Sequence, residues 1–129
     1  MKKEIDVVAA IIVKDQYILA TQRGYGDFKG GWEFPGGKVE QEESKEHALK
    51  REIAEELKVK IRIDSFFMHV DHEYPDFILH MDCFLCSIEE GEIVLVEHEN
   101  AKWLTVKELG SVDWLPADVA VAKKLKEQL

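Results

Sequence analysis

Apolar residues run almost unbroken from Ile5 to Val13, stop at Lys14-Asp15-Gln16, and resume from Tyr17 to Thr21. Two β-rich runs around a short polar break predict a β-hairpin. A glycine-rich stretch follows, with Gly24, Gly26, Gly30 and Gly31 before Trp32, and it predicts a loop rather than a regular element. From Leu49 the period changes. Leu49, Ile53 and Leu57 recur every four residues, the stripe of a helix with one buried face. Ser44 suits its N-cap, and Pro35-Gly36-Gly37 upstream reads as loop chemistry that lets backbone groups approach a ligand. Period-two patterning then returns, predicting strands over Lys60 to Val70, Phe77 to Ile88, Glu92 to Val96 and Ala101 to Leu104. A last helix is predicted from the stripe Val119, Ala122, Leu125 and Leu129, with Lys123, Lys124 and Lys126 near its negative end. Strands alternating with two helices predict an α/β chain.

The polar side of the first helix changes this picture from architecture to chemistry. Arg51-Glu52-Ile53-Ala54-Glu55-Glu56 sets three carboxylates beside one guanidinium. At about 100° per residue, Glu52, Glu55 and Glu56 share a face, and like charges at these spacings repel by a few tenths of a kcal/mol per pair. A divalent cation reverses the sign of that cost. Magnesium takes oxygen ligands, keeps several waters, and sits between one or two carboxylates and substrate phosphates. The cluster therefore points to phosphate chemistry.

Spacing sharpens this reading. Gly37, five residues, Glu43, seven residues, then Arg51-Glu52-Ile53-Ala54-Glu55-Glu56-Leu57-Lys58-Val59 resembles the signature of the Nudix family, G-x5-E-x7-R-E-U-x-E-E-x-G-U, where U is bulky and aliphatic. Lys58 departs from the pattern at its last glycine, so either Lys58 takes a left-handed conformation or the turn after the helix differs. The resemblance continues through Trp32 to Lys38, Arg23, Glu97 to Trp103 and Trp114 to Asp118, which are similar to the MutT branch of nucleoside triphosphate pyrophosphohydrolases and, within it, to the CTP pyrophosphohydrolase type. It implies the Nudix fold, a mixed β-sheet sandwiched between α-helices, as one domain over residues 1–129. The implied reaction is magnesium-dependent cleavage of a (deoxy)nucleoside triphosphate between the α and β phosphates, with manganese as a substitute metal.

The resemblance also implies roles. Glu52 and Glu56 are the main metal ligands, with Glu55, Glu97 and the Gly36 carbonyl completing the shell. Arg51 orients the glutamates. The general base is one of Glu52, Glu55 and Glu97, and the choice stays open. Arg23 and Lys38 match positions that contact substrate phosphates. Phe34, Phe77 and Leu115 form an apolar slot for the base, where Asp118 either accepts a hydrogen bond from an exocyclic amine or caps the last helix. Branch members often carry arginine near Phe77, and the guanine-selective ones asparagine near Asp118. Both departures favour a cytosine or modified nucleotide over oxidised guanine. The alternatives are an oxidised-guanine nucleotide diphosphatase of the MutT type and a module that binds nucleotide without hydrolysing it, which would have lost box glutamates. His98, beside Glu97, is expected at the surface.

Composition is compatible with all of this. A chain of 129 residues with 46% hydrophobic content supports a real core, and it has no segment long enough to span a membrane. A net charge of −9 argues against a nonspecific grip on nucleic acid, where phosphate neutralisation supplies most of the affinity. Cys83 and Cys86 make a single C-x2-C without a second pair, which is a poor zinc site; on a strand they point to opposite faces as buried reduced thiols. No signal peptide is visible, and a cytoplasmic enzyme, monomeric or homodimeric, is expected.

Overall fold

The computed structural model describes residues 2–128, and its centre is the long apolar run at the start of the chain. This run forms β1 (Lys3–Lys14), which turns through Asp15 and Gln16, both at positive φ, into β2 (Tyr17–Arg23). Two left-handed residues in a two-residue loop match the twist of the flanking strands. Two short strands follow, β3 (Trp32–Glu33) and β4 (Gly36–Lys38), then α1 (Lys45–Leu57), β5 (Lys60–Glu73), β6 (Phe77–Glu90), β7 (His98–Leu104), a 3₁₀ turn (Val106–Ser111) and α2 (Pro116–Gln128). Among the described residues the seven strands form one mixed sheet in the order β3-β2-β1-β6-β5, with β4 paired to β1 and β7 to β2. β1 and β6 are parallel; the other pairs are antiparallel.

Both faces of the sheet are covered, which explains why β1 reads as continuous apolar sequence rather than alternating. Val8, Ala10 and Ile12 pack with Leu49, Ile53 and Leu57 of α1, while Ala9 and Ile11 pack with Leu109, Val121 and Leu125 on the other side. Cys83 and Cys86 are buried and free, one in each of these two cores. Burial pushes both thiols up, Cys86 to about 12.

Several elements differ from the sequence pattern. Glu92 to Val96 is not a strand: Val94 N–H and Val96 N–H donate to the Leu57 and Glu56 carbonyls at 2.9 and 3.1 Å. The apolar run caps the end of α1, satisfying carbonyls that a helix C-terminus leaves open. Pro35-Gly36-Gly37 holds more than loop, since Gly36 and Gly37 pair with Ala9 and Val8. In α2 the buried face is Ala117, Asp118, Val121, Ala122 and Leu125; Val119 is 52% exposed, and Leu129 lies outside the described residues.

Candidate active site

Helix α1 is fixed at both ends. Ser44 accepts from the His47 N–H at 3.1 Å, and Lys58 closes the other end at φ 60°, the left-handed alternative raised by its departure from the signature. With Leu49, Ile53 and Leu57 buried completely, the register of the polar side follows from the packing. Glu52 lies half-buried and Glu56 buried, both lining a cleft together with Arg23, Glu33, Gly36, Gly37, Lys38 and Glu97. The glycines are required by crowding: a Cβ on Gly37 would fall 2.3 Å from the Glu52 carboxylate, and one on Gly36 would fall 1.9 Å from the Val8 carbonyl oxygen. The backbone of β4 thus passes directly under the acidic face.

Arg51 organises this edge. Its guanidinium grips Glu43 through Nε and Nη2 at 2.7 and 3.0 Å, donates through Nη1 to Glu52 at 2.9 Å, and reaches the Lys38 carbonyl at 3.1 Å. The Arg51 hydrogen bond holds the Glu43 carboxyl down at about 2, and the same pairing raises Arg51 further above its ordinary value. Helix, preceding loop and β4 are thereby tied through one side chain. The structure separates Glu55 from its neighbours. Its side chain is 60% exposed, 3.6 Å from Arg51, and it does not line the cleft, because it sits about 100° around the helix from Glu56.

Glu56 is the electrostatic centre. Burial, followed by the charges of Glu52 and Glu97, raises its pKa well above the carboxylate range, and its Oε2 has no hydrogen-bond partner. Glu97 is exposed and is carried to the cleft by the capping segment that ends at Val96. His98, expected at the surface, is instead buried. Its Nε2 lies 3.5 Å from Glu33 and 3.7 Å from Glu56, and its Nδ1 is unpartnered. As the first residue of β7 opposite Arg23 of β2, it is turned inward by the sheet, a long-range effect without a local sequence signal. Glu33 also went unread in the sequence. It receives Arg23 Nη2 at 2.6 Å and Nε at 3.3 Å, and its pKa is lowered: burial opposes the shift but the His98 and Arg23 hydrogen bonds prevail. Arg23 Nη1 also donates to the Asp27 carbonyl at 3.1 Å, holding the glycine-rich loop to β2. Lys38 is exposed at the rim.

The cleft continues into an apolar slot that shares Arg23, Phe28, Glu33, Gly36, Gly37 and Phe77 with it. Phe34, Phe77, Leu115 and Asp118, four residues from distant parts of the chain, all line this slot. Phe34 stacks on Trp114 at 4.4 Å, and Phe77 on Tyr74 at 4.9 Å. Tyr74 and Phe28 are lining residues that sequence reasoning missed. Asp118 is not the helix cap, because α2 already begins at Pro116; its Oδ1 accepts from the Phe34 N–H at 3.1 Å. Full burial pushes this carboxyl up to about 8.

Three crowded carboxylates with an orphaned buried oxygen fit a hard divalent cation, which takes oxygen ligands and offsets their repulsion. Such a site beside an apolar slot suits a ligand with a charged, phosphate-like end and a flat apolar end.

A model of the NUDIX domain matches residues 3–129. The chain is 36% identical over 118 residues to the CTP pyrophosphohydrolase of Escherichia coli (strain K12), covering 91% of this chain and 87% of that protein. It is 32% identical over 127 residues to the 8-oxo-dGTP diphosphatase of the same organism, covering 98% of each. The crystal structure of a MutT NUDIX hydrolase from Burkholderia pseudomallei superposes with a TM-score of 0.82 at 28% identity, covering 99% of both chains. Signature, sheet topology and overall likeness converge, and the chain belongs to the Nudix hydrolase family.

Proposed function

We propose that this chain hydrolyses a nucleoside triphosphate to the nucleoside monophosphate and pyrophosphate, with magnesium as the working cation and manganese as a substitute. The observation that carries this reading is Glu56, a buried carboxylate with an unpartnered oxygen, facing Glu52 and Glu97 in a cleft continuous with an apolar slot. Glu52, Glu56, Glu97 and the Gly36 carbonyl would hold the cation, with Glu55 outside the cleft beside Arg51. When bound, it supplies charge neutralisation for the triphosphate and a lowered pKa for an attacking water.

The protein's own side chains supply position. Arg51 keeps Glu52 aimed into the cleft while holding Glu43 and the Lys38 carbonyl. Lys38 and Arg23 stand at the cleft as cations for phosphate oxygens, Arg23 with its fork already fixed by Glu33. Proton removal from water falls to a carboxylate of the cleft: Glu52, held by Arg51, and exposed Glu97 both line it, whereas Glu55 does not.

In the slot, a base is sandwiched among Phe34, Phe77 and Leu115, with Asp118 at its edge. Since Oδ1 is engaged by the Phe34 N–H, Oδ2 is the oxygen left for a ligand; burial favours the protonated carboxyl, which donates as well as accepts. That pairing suits cytosine, which, like adenine and unlike the Watson–Crick edge of guanine, presents an amine beside a ring-nitrogen acceptor. The relative named CTP pyrophosphohydrolase supports this choice, while those named 8-oxo-dGTP diphosphatase keep an oxidised guanine nucleotide as the second reading. Retention of every box glutamate argues against a binding module without catalysis. The excess of negative charge argues against nucleic acid as the substrate.

The test is a screen of standard, oxidised and methylated nucleoside triphosphates with magnesium, detecting pyrophosphate and orthophosphate separately. Pyrophosphate release, fastest with a cytosine nucleotide, is expected. Orthophosphate as the primary product overturns the assigned bond, and a guanine optimum overturns the assigned base.

A further inference from the structure

A second constellation of chemically active side chains lies away from the cleft and shares no residue with it. On β5, His69 and Asp71 are two positions apart and share a face. On β6, Asp82 stands opposite His69 and His80 opposite Asp71. Phe84 and Cys86 on this face of β6 pack in the core under α1, so Asp82 and His80 continue the same row past the helix N-terminus, where Lys45 lies 2.6 Å from Asp82 Oδ2. Glu4 of β1 completes the group from the neighbouring strand.

The contacts within it have a definite order. His69 Nε2 and His80 Nδ1 both approach Asp71 Oδ1, at 2.6 and 2.5 Å. Each ring turns its other nitrogen to a separate carboxylate, His69 Nδ1 to Asp82 at 2.7 Å and His80 Nε2 to Glu4 at 2.7 Å. All four ring nitrogens therefore face carboxylate oxygens, but a neutral imidazole has one N–H. Once both rings are neutral, with their protons directed to Asp82 and Glu4, two nitrogen lone pairs and one carboxylate converge on the same point. Asp71, Asp82, Glu4 and Asp6, the β1 residue paired with His80, then outnumber the Lys45 ammonium, an excess of negative charge that a dication offsets.

We propose that His69, Asp71 and His80 form a binding site for a transition-metal dication of the zinc class, with Asp82 and Glu4 as the carboxylates that orient the two ligating rings. The three ligand atoms lie within 4.8 Å of one another. Ligands at about 2.0–2.1 Å in a tetrahedron sit about 3.3 Å apart, so an ion needs the two ring nitrogens to close by up to about 1.5 Å while the Asp71 carboxylate withdraws by less than about 1 Å. The side chains of Asp71 and His69, 59% and 42% exposed, have room for this adjustment once the ion replaces the hydrogen bonds between them. Imidazole with carboxylate selects zinc, nickel or copper over magnesium, which prefers an all-oxygen shell. A histidine that ligates metal while donating its second N–H to a carboxylate is the arrangement that fixes tautomer and ring orientation at such centres. The ion would pin β5 to β6 at the open end of the sheet, and the fourth position would be left to water.

The experiment is zinc titration of the metal-stripped full chain in saturating magnesium, which occupies oxygen-lined sites. One zinc is expected to bind under these conditions. Affinity should fall about 10–100-fold in Asp82→Asn and Glu4→Gln, and further in His69→Ala and His80→Ala. Anomalous scattering at the zinc edge from zinc-soaked wild-type crystals should place the ion between His69 Nε2 and His80 Nδ1, a result that does not depend on any variant folding. Equal zinc binding by the doubly substituted His69→Ala, His80→Ala protein overturns the proposal, as does zinc confined to the Glu52–Glu56 cleft or no zinc retained against magnesium.

Discussion

Glu56 and Asp118 are both buried carboxyls raised above their ordinary range, one on the acidic wall of the cleft and the other in the apolar slot. Their surroundings differ in kind. Glu56 faces Glu52, Glu97 and Glu33 and leaves an oxygen unpartnered, so its raised pKa reports repulsion on top of burial. Asp118 receives a backbone N–H from Phe34 among aromatic and aliphatic walls, and its raised pKa reports burial. A crowded acid with an orphaned oxygen is relieved by a cation; a solitary acid with one oxygen anchored is completed by a neutral hydrogen-bonding edge. On the proposed function, the same direction of shift thus serves two different ligand chemistries, separated only by what stands next to each carboxyl.

Breaking the acidic wall gives the largest expected effect. Glu56→Gln keeps the shape and removes the charge, and a metal contribution of several kcal/mol corresponds to a fall in kcat on the order of a thousandfold. Magnesium-dependent turnover close to wild type would remove Glu56 from the metal site. Stability without metal gives an independent reading. Both acids are raised in the folded state, so each contributes fully below its ordinary value and loses that contribution as pH rises through its folded value, which for Asp118 lies at about 8. The metal-free protein should therefore lose thermal stability from about pH 5 upward. Magnesium should restore the share owed to Glu56 and leave that of Asp118. In Glu56→Gln the alkaline loss should shrink and the magnesium response disappear.

Asp118→Asn tests the other wall with a smaller effect. A base-edge pair is worth about 1–3 kcal/mol of discrimination, so the ratio of kcat/KM between cytosine and guanine triphosphates should change by about 10–100-fold with kcat for the favoured base largely kept. An unchanged ratio would reduce Asp118 to a strut for Phe34.

The two walls were not equally legible in the sequence. The acidic wall rests on a helix, where i, i+3 and i+4 spacing turns a short string of residues into a surface, and Leu49, Ile53 and Leu57 fix which way that surface faces. Glu55 escaped the pattern because a face spanning about 100° is wider than the cleft it lines. The slot joins β3–β4, β6 and the start of α2, and no local period connects them; family resemblance named Phe34, Phe77, Leu115 and Asp118, while Tyr74 and Phe28 had no such pointer and Glu33, inside the resembling segment, carried no role. Burial of His98 follows from the pairing of β7 with β2. The segment Glu92 to Val96 reads as a strand by composition, yet the Val94 and Val96 amides are used by α1 carbonyls, a choice made by packing rather than propensity. The His69–Asp71–His80 group is likewise a product of register between β5 and β6.

The smallest effect separates local chemistry from general stability. Lys58 holds a left-handed conformation at φ 60° at the end of α1, with its N–H donating to the Ala54 carbonyl at 3.2 Å, where a side chain is strained by about 1–2 kcal/mol and glycine is not. Lys58→Gly should stabilise the fold by about 1 kcal/mol after the greater chain entropy of glycine is offset, a rise in Tm of a few degrees for a chain this size. Because Lys58 is exposed and outside both walls, the magnesium response set by Glu56 and the base ratio set by Asp118 should stay as they are. Should either move with Lys58→Gly, the two acids would be reporting the rigidity of α1, and the contrast between a wall built for a cation and one built for a base would fail. Constancy of both under a measured gain in Tm would tie each response to its own carboxyl.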